Sequence, residues 1–301
     1  MVRVGVVLLP QERWSSARAR WRRAEELGFD HAWTYDHLAW RDLADEPWFA
    51  TVPLLAAAAA VTDRIGLGTW VASPNFRHPV PFAKDVMGLD DVSGGRFVLG
   101  VGAGGEGWDA GVLGPAPTRG ERTRRFAEFL DVLDTLLTHP VTDHAGEFYE
   151  AHAARMVPGT LARPRTPFVV AANGPRAMAL AARHGQGWAT YGPGTGVGDG
   201  VDAAAAQDAW WDGLARMVDA FDEVDGSGRV GRWLSLDGAP RFSLVSAEHA
   251  AEGVERAAAL GFGDVVLHWP RPSGVYAGDE RELERFAAEL PRLQALEPAA
   301  R

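Results

Sequence analysis

One local event recurs in this chain. AEELGFDHAWTY (24–35) and AAALGFGDVVLHW (257–269) each pass from an amphipathic segment through a glycine stop into a short apolar run. AARHGQGWATY (181–191) is a weaker third copy. Glycine ends a helix because it takes the left-handed turn without a steric cost. The β-branched and aromatic run that follows reads as a strand buried on both faces. Such a unit cannot bury itself. It has to lie beside further copies of itself, parallel and joined by right-handed crossovers.

The same alternation runs through the rest of the chain. Buried-strand runs stand at 2–9, 31–35, 65–71, 96–101, 168–171, 188–191, 233–236 and 265–268. Between them Trp14, Ala17, Trp21 and Ala24 recur at helical spacing, as do Phe126, Leu130, Leu133 and Leu137, and Ala206, Trp210, Leu214, Met217 and Phe221. Further helices are predicted over 47–61, 79–92, 175–184, 248–260 and from about residue 279. Eight strands interleaved with helices close into a (β/α)8 TIM barrel; an open doubly wound sheet is the competitor. The stretches 105–120 and 141–167 are irregular, with a small hairpin expected at 144–149. They read as insertions at the C-terminal mouth. GPGTGVGDG (192–200) reads as a flexible loop. No composition break divides the chain, and barrels of ~250 residues fold as one domain, so 1–301 is expected to be a single domain.

Composition excludes several partners. Acidic residues outnumber basic ones 40 to 30, and RARWRR (18–23) is spread around a helix, so neither nucleic acid nor an anionic membrane is an expected partner. No cysteine occurs, which removes disulfides, thiolate nucleophiles and Cys-ligated zinc, and fits a reducing cytoplasm. MVRVGVVLLPQERW lacks the pattern of a signal peptide, and the longest apolar run, about residues 52–61, is too short to span a bilayer. A soluble cytoplasmic protein is expected.

In a barrel the reacting groups follow the C-terminal ends of the strands. Those ends carry Asp36-His37, Trp70 to Ser73, Gly102 to Glu106, Asn173 to Arg176, Tyr191-Gly192 and His268-Trp269. An acid and an imidazole ending the aromatic run WTYDHLAW (33–40) are costly there unless hydrogen-bonded or put to use. GVGAGG (100–105) fits G-x-G-x-x-G, but no helix opens at once after it, so a dinucleotide fingerprint is rejected. The glycines read instead as room for a flat ligand or a neighbouring backbone. Asn173-Gly174-Pro175-Arg176 precedes a helix: an anion site, or an ordinary cap by Asn173 with Pro175 in the first turn. No metal is expected, because His37, His78, His184 and His268 show no ligand spacing; a metal-dependent hydrolase built on Asp36, His37 and His268 is the alternative.

IGLGTWVASPNFRHPVPFAKDVMGLDDVSGGRFVLGVGAGGEGWD (65–109) resembles the central block of the luciferase-like flavin-dependent oxidoreductases. The likeness lies in RHP (77–79), LDDVSGGRFVLGVGAG (89–104) and the earlier WTYDHL (33–38). FVVAANGPRAMALAARHGQGWATYG (168–192) is similar to the family's second cofactor segment, and GEFYEAH (146–152) to its Gly-x-x-Tyr stretch. The resemblance runs over roughly residues 1–270. It implies a (β/α)8 barrel, usually a homodimer, that holds FMN or the deazaflavin coenzyme F420 at its mouth. Asp36-His37 matches the pair of the deazaflavin branch, whereas the FMN monooxygenases more often carry others there, such as Glu-His-His.

On this resemblance Asp36 bonds the cofactor and His37 exchanges a proton beside the hydride, a role suited to its unperturbed pKa of ~6.5. A cis bond is implied at Trp70-Val71, with Ser73 reaching the cofactor, Asn173, Gly174, Pro175 and Arg176 forming the phosphate turn, and Gly102, Gly104 and Tyr191 also binding the cofactor. The lysine of the sugar-phosphate branch is missing after strand six. Gly105 then Glu106 stand where that branch has its glutamate, and the luciferases' arginine after strand four is absent. A phosphorylated substrate and light emission are therefore not expected. Trp40, Trp48, Phe49, Phe76, Trp108 and Trp269 are assigned to the substrate pocket, for a hydrophobic or planar organic molecule; packing of loops onto the barrel is the plainer account of each. The expected activity is hydride transfer between the cofactor and such a substrate. An FMN monooxygenase fed by a separate reductase and a non-catalytic flavin-binding barrel are the alternatives, and helices 47–61 and 79–92 are the expected dimer interface.

Overall fold

The computed structural model describes residues 1–105, 107–194 and 202–300. Glu106 and positions 195–200 of the glycine-rich stretch lie outside the described residues. The elements are β1 (Arg3–Val7), α1 (Trp14–Glu26), β2 (His31–Thr34), α2 (Thr51–Ala59), β3 (Gly66–Thr69), α3 (Pro79–Val92), β4 (Phe97–Gly102), α4 (Trp108–Val112), α5 (Arg119–Thr138), β5 (Val141–Ala145) and β6 (Glu150–Arg155). They continue as β7 (Phe168–Ala171), α6 (Pro175–His184), β8 (Gly187–Thr190), α7 (Ala203–Asp225), β9 (Gly231–Ser235), α8 (Ala247–Ala259), β10 (Asp264–His268) and α9 (Glu280–Gln294). Strand pairing follows the order β1-β10-β9-β8-β7-β4-β3-β2 and closes, which makes the (β/α)8 barrel; β5 and β6 form a separate two-stranded sheet. Among the described residues no helix is long and apolar enough to cross a membrane.

By its contacts the chain divides into two compact units. The first comprises Met1–Leu8, Arg23–Ala32 and Ala172–Arg301. Its strands are parallel, with Val4 opposite Val265, Val265 opposite Leu234 and Ala189 opposite Trp233. All five residues of β10 are buried, which is why that run carries no alternation. Trp188 stacks on Phe221 of α7, ring centres 4.2 Å apart and planes 13° from parallel. The buried carboxylate of Asp264 is met by Arg3 Nη2 at 3.0 Å and by His31 Nε2 at 3.1 Å.

The second unit comprises Leu9–Arg22 and Trp33–Ala171. Here β4 lies between β3 and β7, with Gly68 opposite Val98 and Leu99 opposite Phe168. The strands approach so closely at Gly100 that an added Cβ would sit 1.9 Å from the Thr69 carbonyl oxygen. Thr69 Oγ1 in turn donates to the Gly100 carbonyl at 2.6 Å. Arg96, just before β4, donates to the carbonyls of Ala59, Thr62, Ile65 and Ser93 at 2.8–3.0 Å. It thereby satisfies carbonyls that the C-terminal end of α2 leaves without intrahelical partners.

Three expectations are corrected. The helix expected at 47–61 begins at Thr51. Trp48 Nε1 donates to the His37 carbonyl at 2.8 Å, and Ala50 ahead of the helix is extended. The irregular stretch 105–120 contains α4 and the start of α5, whose cap is reciprocal: Thr118 N–H donates to Glu121 at 2.8 Å and Glu121 N–H to Thr118 Oγ1 at 3.3 Å. The small hairpin is longer than 144–149. Its turn is held by Glu128 of α5, which accepts from the amides of Glu147 at 3.1 Å, Phe148 at 3.0 Å and Tyr149 at 2.9 Å.

Two glycine substitutions separate crowding from backbone entropy. Gly100→Ala should lower stability by at least about 1–3 kcal/mol, because β4 must move off Thr69. Gly88→Ala, on the exposed face of α3 with open space around it, should raise stability by about 0.5–1 kcal/mol. Urea unfolding of both variants checks the pair.

Candidate active site

The run ending β2 carries Tyr35, Asp36 and His37 out of the barrel wall. Asp36 is only 1% exposed. Both its oxygens are taken by Arg77, with Nε to Oδ2 at 2.7 Å and Nη2 to Oδ1 at 2.6 Å. Arg77 follows β3, its guanidinium lying 4.5 Å from the Phe82 ring centre and 5.1 Å from that of Phe76. Breaking such a buried pair by removing one partner costs about 3–5 kcal/mol, so the fork is a firm anchor. Asp85 lies 3.5 Å from the same guanidinium; burial raises its carboxyl above the usual range, against the pull of Arg77.

His37 is held by a second carboxylate. Asp109, in the first turn of α4 and 3% exposed, closes on His37 Nδ1. Its other oxygen accepts the backbone N–H of Leu38 at 2.8 Å and of Ala39 at 3.4 Å. The imidazole remains 23% exposed at the side chain. Its Nε2 makes no hydrogen bond among the described residues. Tyr35 stands edge-on to His37 at 5.9 Å and to Trp40 at 5.1 Å, with Trp48 at 6.4 Å.

A polar corner follows β3 and β4. The Trp70-Val71 bond is cis, at the position the family resemblance names. Ser73 is buried and accepts the Asn75 N–H at 3.4 Å; Asn75 Oδ1 accepts Arg125 Nη2 at 2.8 Å. Gly102 packs against Val71, where a Cβ would come within 2.9 Å. Gly104 has a positive φ of 76°, and a side chain there would meet the Asn75 carboxamide at 2.6 Å. Tyr149 faces His78 edge-on at 5.3 Å, and burial pushes its phenol well above the ordinary value. Two donors in this region, Tyr149 Oη and Arg125 Nε, are buried with no hydrogen-bond partner among the described residues. Buried donors normally find an acceptor, so these two are available to a ligand.

In the first unit the strand-end turn differs from a simple cap. Gly174, not Asn173, is the N-cap of α6, with Pro175 in the first turn. Asn173 is drawn away: its Nδ2 donates to the Gly192 carbonyl at 2.7 Å and its Oδ1 accepts Thr190 Oγ1 at 2.8 Å. Arg176 and Tyr191 are exposed. His268 Nδ1 lies 2.9 Å from Asp237, and its ring stacks on Tyr276 at 3.7 Å. Trp269 is buried with its indole N–H on Glu280 at 3.0 Å.

Among the described residues no group of three or more His, Cys, Asp or Glu is placed to hold a metal. Asp36, His37 and His268, the set a metal hydrolase would need, are engaged by Arg77, Asp109 and Asp237. Of the proposed pocket aromatics, Trp40 and Trp48 gather around Tyr35, Phe76 lies by Arg77, and Phe49 and Trp108 are exposed. Sequence reasoning gave no role to Arg77, Asp109, Arg125 or Tyr149. Arg77 had a signal, since it is the only arginine between residues 65 and 95 and a buried Asp36 needs a cation. Asp109 had none.

Comparison with known proteins shows the family. The family model for luciferase-like monooxygenases matches residues 1–220. A 4-hydroxyprotoasukamycin monooxygenase of Streptomyces nodosus subsp. asukaensis is 38% identical over 61% of this chain and 48% of its own length, so the chain spans about half of that relative. An F420-dependent glucose-6-phosphate dehydrogenase of Nakamurella multipartita is 33% identical over 90% of this chain and 74% of its own length. A solved F420-dependent secondary alcohol dehydrogenase, in complex with an F420-acetone adduct, superposes with a TM-score of 0.76 at 16% identity, covering 97% of this chain and 99% of that one. At that identity the likeness is one of fold. The chain belongs to the luciferase-like monooxygenase family.

Proposed function

We propose that the chain is an oxidoreductase that moves a hydride between coenzyme F420 or FMN and a hydrophobic or planar organic substrate. The observation that carries this reading is the state of His37. Its ring is clamped at Nδ1 by a buried carboxylate, makes no hydrogen bond at Nε2 among the described residues and is edged by Tyr35, against which Trp40 and Trp48 pack. Removing or adding hydride at a carbon that bears oxygen obliges a proton to move as well. An imidazole with an unperturbed value of ~6.5 is suited to take or return it.

When bound, the cofactor supplies the hydride site. Trp70, Val71, Ser73, Gly102 and Gly104 are the residues of the second unit assigned to hold it. Asp36, with Arg77 on both oxygens, fixes the strand end from which His37 projects and has only its outer lone pairs left for a ligand. Tyr149 Oη and Arg125 Nε, two of the buried donors without an acceptor among the described residues, fit an anionic group such as a cofactor phosphate. The first unit has its own candidate for that group in Asn173, Gly174, Pro175 and Arg176, with Tyr191 beside them. Asp36-His37 favours the deazaflavin, and the dehydrogenase relative named for F420 supports it. An FMN monooxygenase supplied by a separate reductase is the second reading, favoured by the relative from Streptomyces. A homodimer through α2 and α3 and a cytoplasmic location complete the proposal.

Fluorescence titration of the purified protein with each cofactor separates the readings: F420 should bind the more tightly, and preference for FMN would select the monooxygenase. With F420 bound and a substrate found by screening, His37→Ala should lower kcat about 10²–10⁴-fold with cofactor affinity kept. Unchanged turnover would remove His37 from the chemistry. Tyr149→Phe should leave stability within about 1 kcal/mol, since the hydroxyl has no partner among the described residues, yet weaken cofactor binding about tenfold. Equal affinity in the two proteins would dismiss the phosphate role.

A further inference from the structure

We infer that Asp109 is the positioning residue that decides which nitrogen of His37 carries the proton, an inference that rests on reading His37 as the proton-transfer group. Three His–Asp pairs stand out in the described residues: His31–Asp264, His268–Asp237 and His37–Asp109. The first two have side chains at most 6% exposed, and the His31 pair also holds Arg3. They are sealed. Only His37, at 23%, keeps an open ring against a sealed carboxylate, 4% exposed at the side chain.

The orientation of that carboxylate is set by the backbone. Oδ1 accepts the N–H groups of Leu38 at 2.8 Å and Ala39 at 3.4 Å, which leaves Oδ2 facing His37 Nδ1. An ionised carboxylate only accepts, so Nδ1 carries the hydrogen and Nε2 keeps its lone pair. The free histidine side chain in water prefers the opposite tautomer, with the hydrogen on Nε2. Asp109 therefore reverses an intrinsic preference and presents a base at Nε2. A proton lost by a bound substrate goes to Nε2, and the imidazolium so formed is paired with Asp109; in the other direction Nε2–H returns it.

The near-isosteric variant Asp109→Asn tests this. The Leu38 and Ala39 amides need an acceptor and claim the single carbonyl oxygen of the new side chain. Its NH₂ then faces Nδ1, which can only accept from it, and the proton moves to Nε2. Long-range ¹H–¹⁵N spectra of the labelled full-length protein, about two units above the ordinary imidazole pKa, read the tautomer directly. His37→Gln assigns the signals by their loss. The wild type should show Nδ1–H with Nε2 unprotonated. In Asp109→Asn the ratio should shift toward Nε2–H by at least about tenfold, with an unchanged circular dichroism spectrum.

A wild-type ring carrying its hydrogen on Nε2 would overturn the inference, as would the same tautomer in both folded proteins. If the variant does not fold, the wild-type spectrum alone decides. No turnover is needed, so failure here leaves the hydride-transfer reading standing. Conversely, an Nδ1–H ring in a protein that binds neither cofactor sinks that reading without touching the tautomer.

Discussion

A carboxylate taken out of water has to be met by donors that do not move, and the end of β2 is arranged around two such groups. Leaving either uncompensated would cost several kcal/mol per ion, far more than any local backbone preference can resist. Asp36 accordingly draws in Arg77, from the segment after β3, with both nitrogens of its fork. Asp109 draws in the peptides of Leu38 and Ala39 and the ring of His37, so the segment after β4 is tied to the same strand end. The site exists because these demands can be met only with both segments in place.

The surface ion pairs present a contrast. Arg285 with Glu248 and Arg292 with Glu255 join α8 to α9, but every partner is at least 45% exposed at the side chain. Pairs of that kind are worth about 0–1 kcal/mol and position nothing chemical. Distance alone does not rank an ion pair; burial and the number of fixed donors do. By that measure Asp36–Arg77 is structural cement, whereas His37–Asp109 joins a sealed carboxylate to a ring that stays partly exposed.

Close backbone approach does the rest. At Gly100 the strands β3 and β4 leave no room for a side chain, and Thr69 hydrogen-bonds across the gap. Ala72 and Val101 then pair just beyond β3. That continuation carries Ser73 and Asn75 to the polar corner, where Arg125 and Tyr149 keep buried donors without acceptors among the described residues. Buried polar atoms are seldom left so.

Much of this was readable from local composition. The eight buried strands were legible because a strand covered on both faces loses its alternation, and Asp36-His37 stood out because two polar groups end such a run. The family likeness placed the cis bond at Trp70-Val71. The failures have separate causes. The expected helix at 47–61 starts late because Trp48 is spent on His37; α4 was hidden in a glycine- and proline-rich stretch; Asn173 looks like a cap but serves Gly192 and Thr190. The site's decisive partners join residues 41, 50 and 72 positions apart: Asp36 with Arg77, Asn75 with Arg125, His37 with Asp109. Periodicity encodes which face of a segment is buried. It carries no information on which distant side chain meets a charge, because that depends on where the packed strands bring their loops.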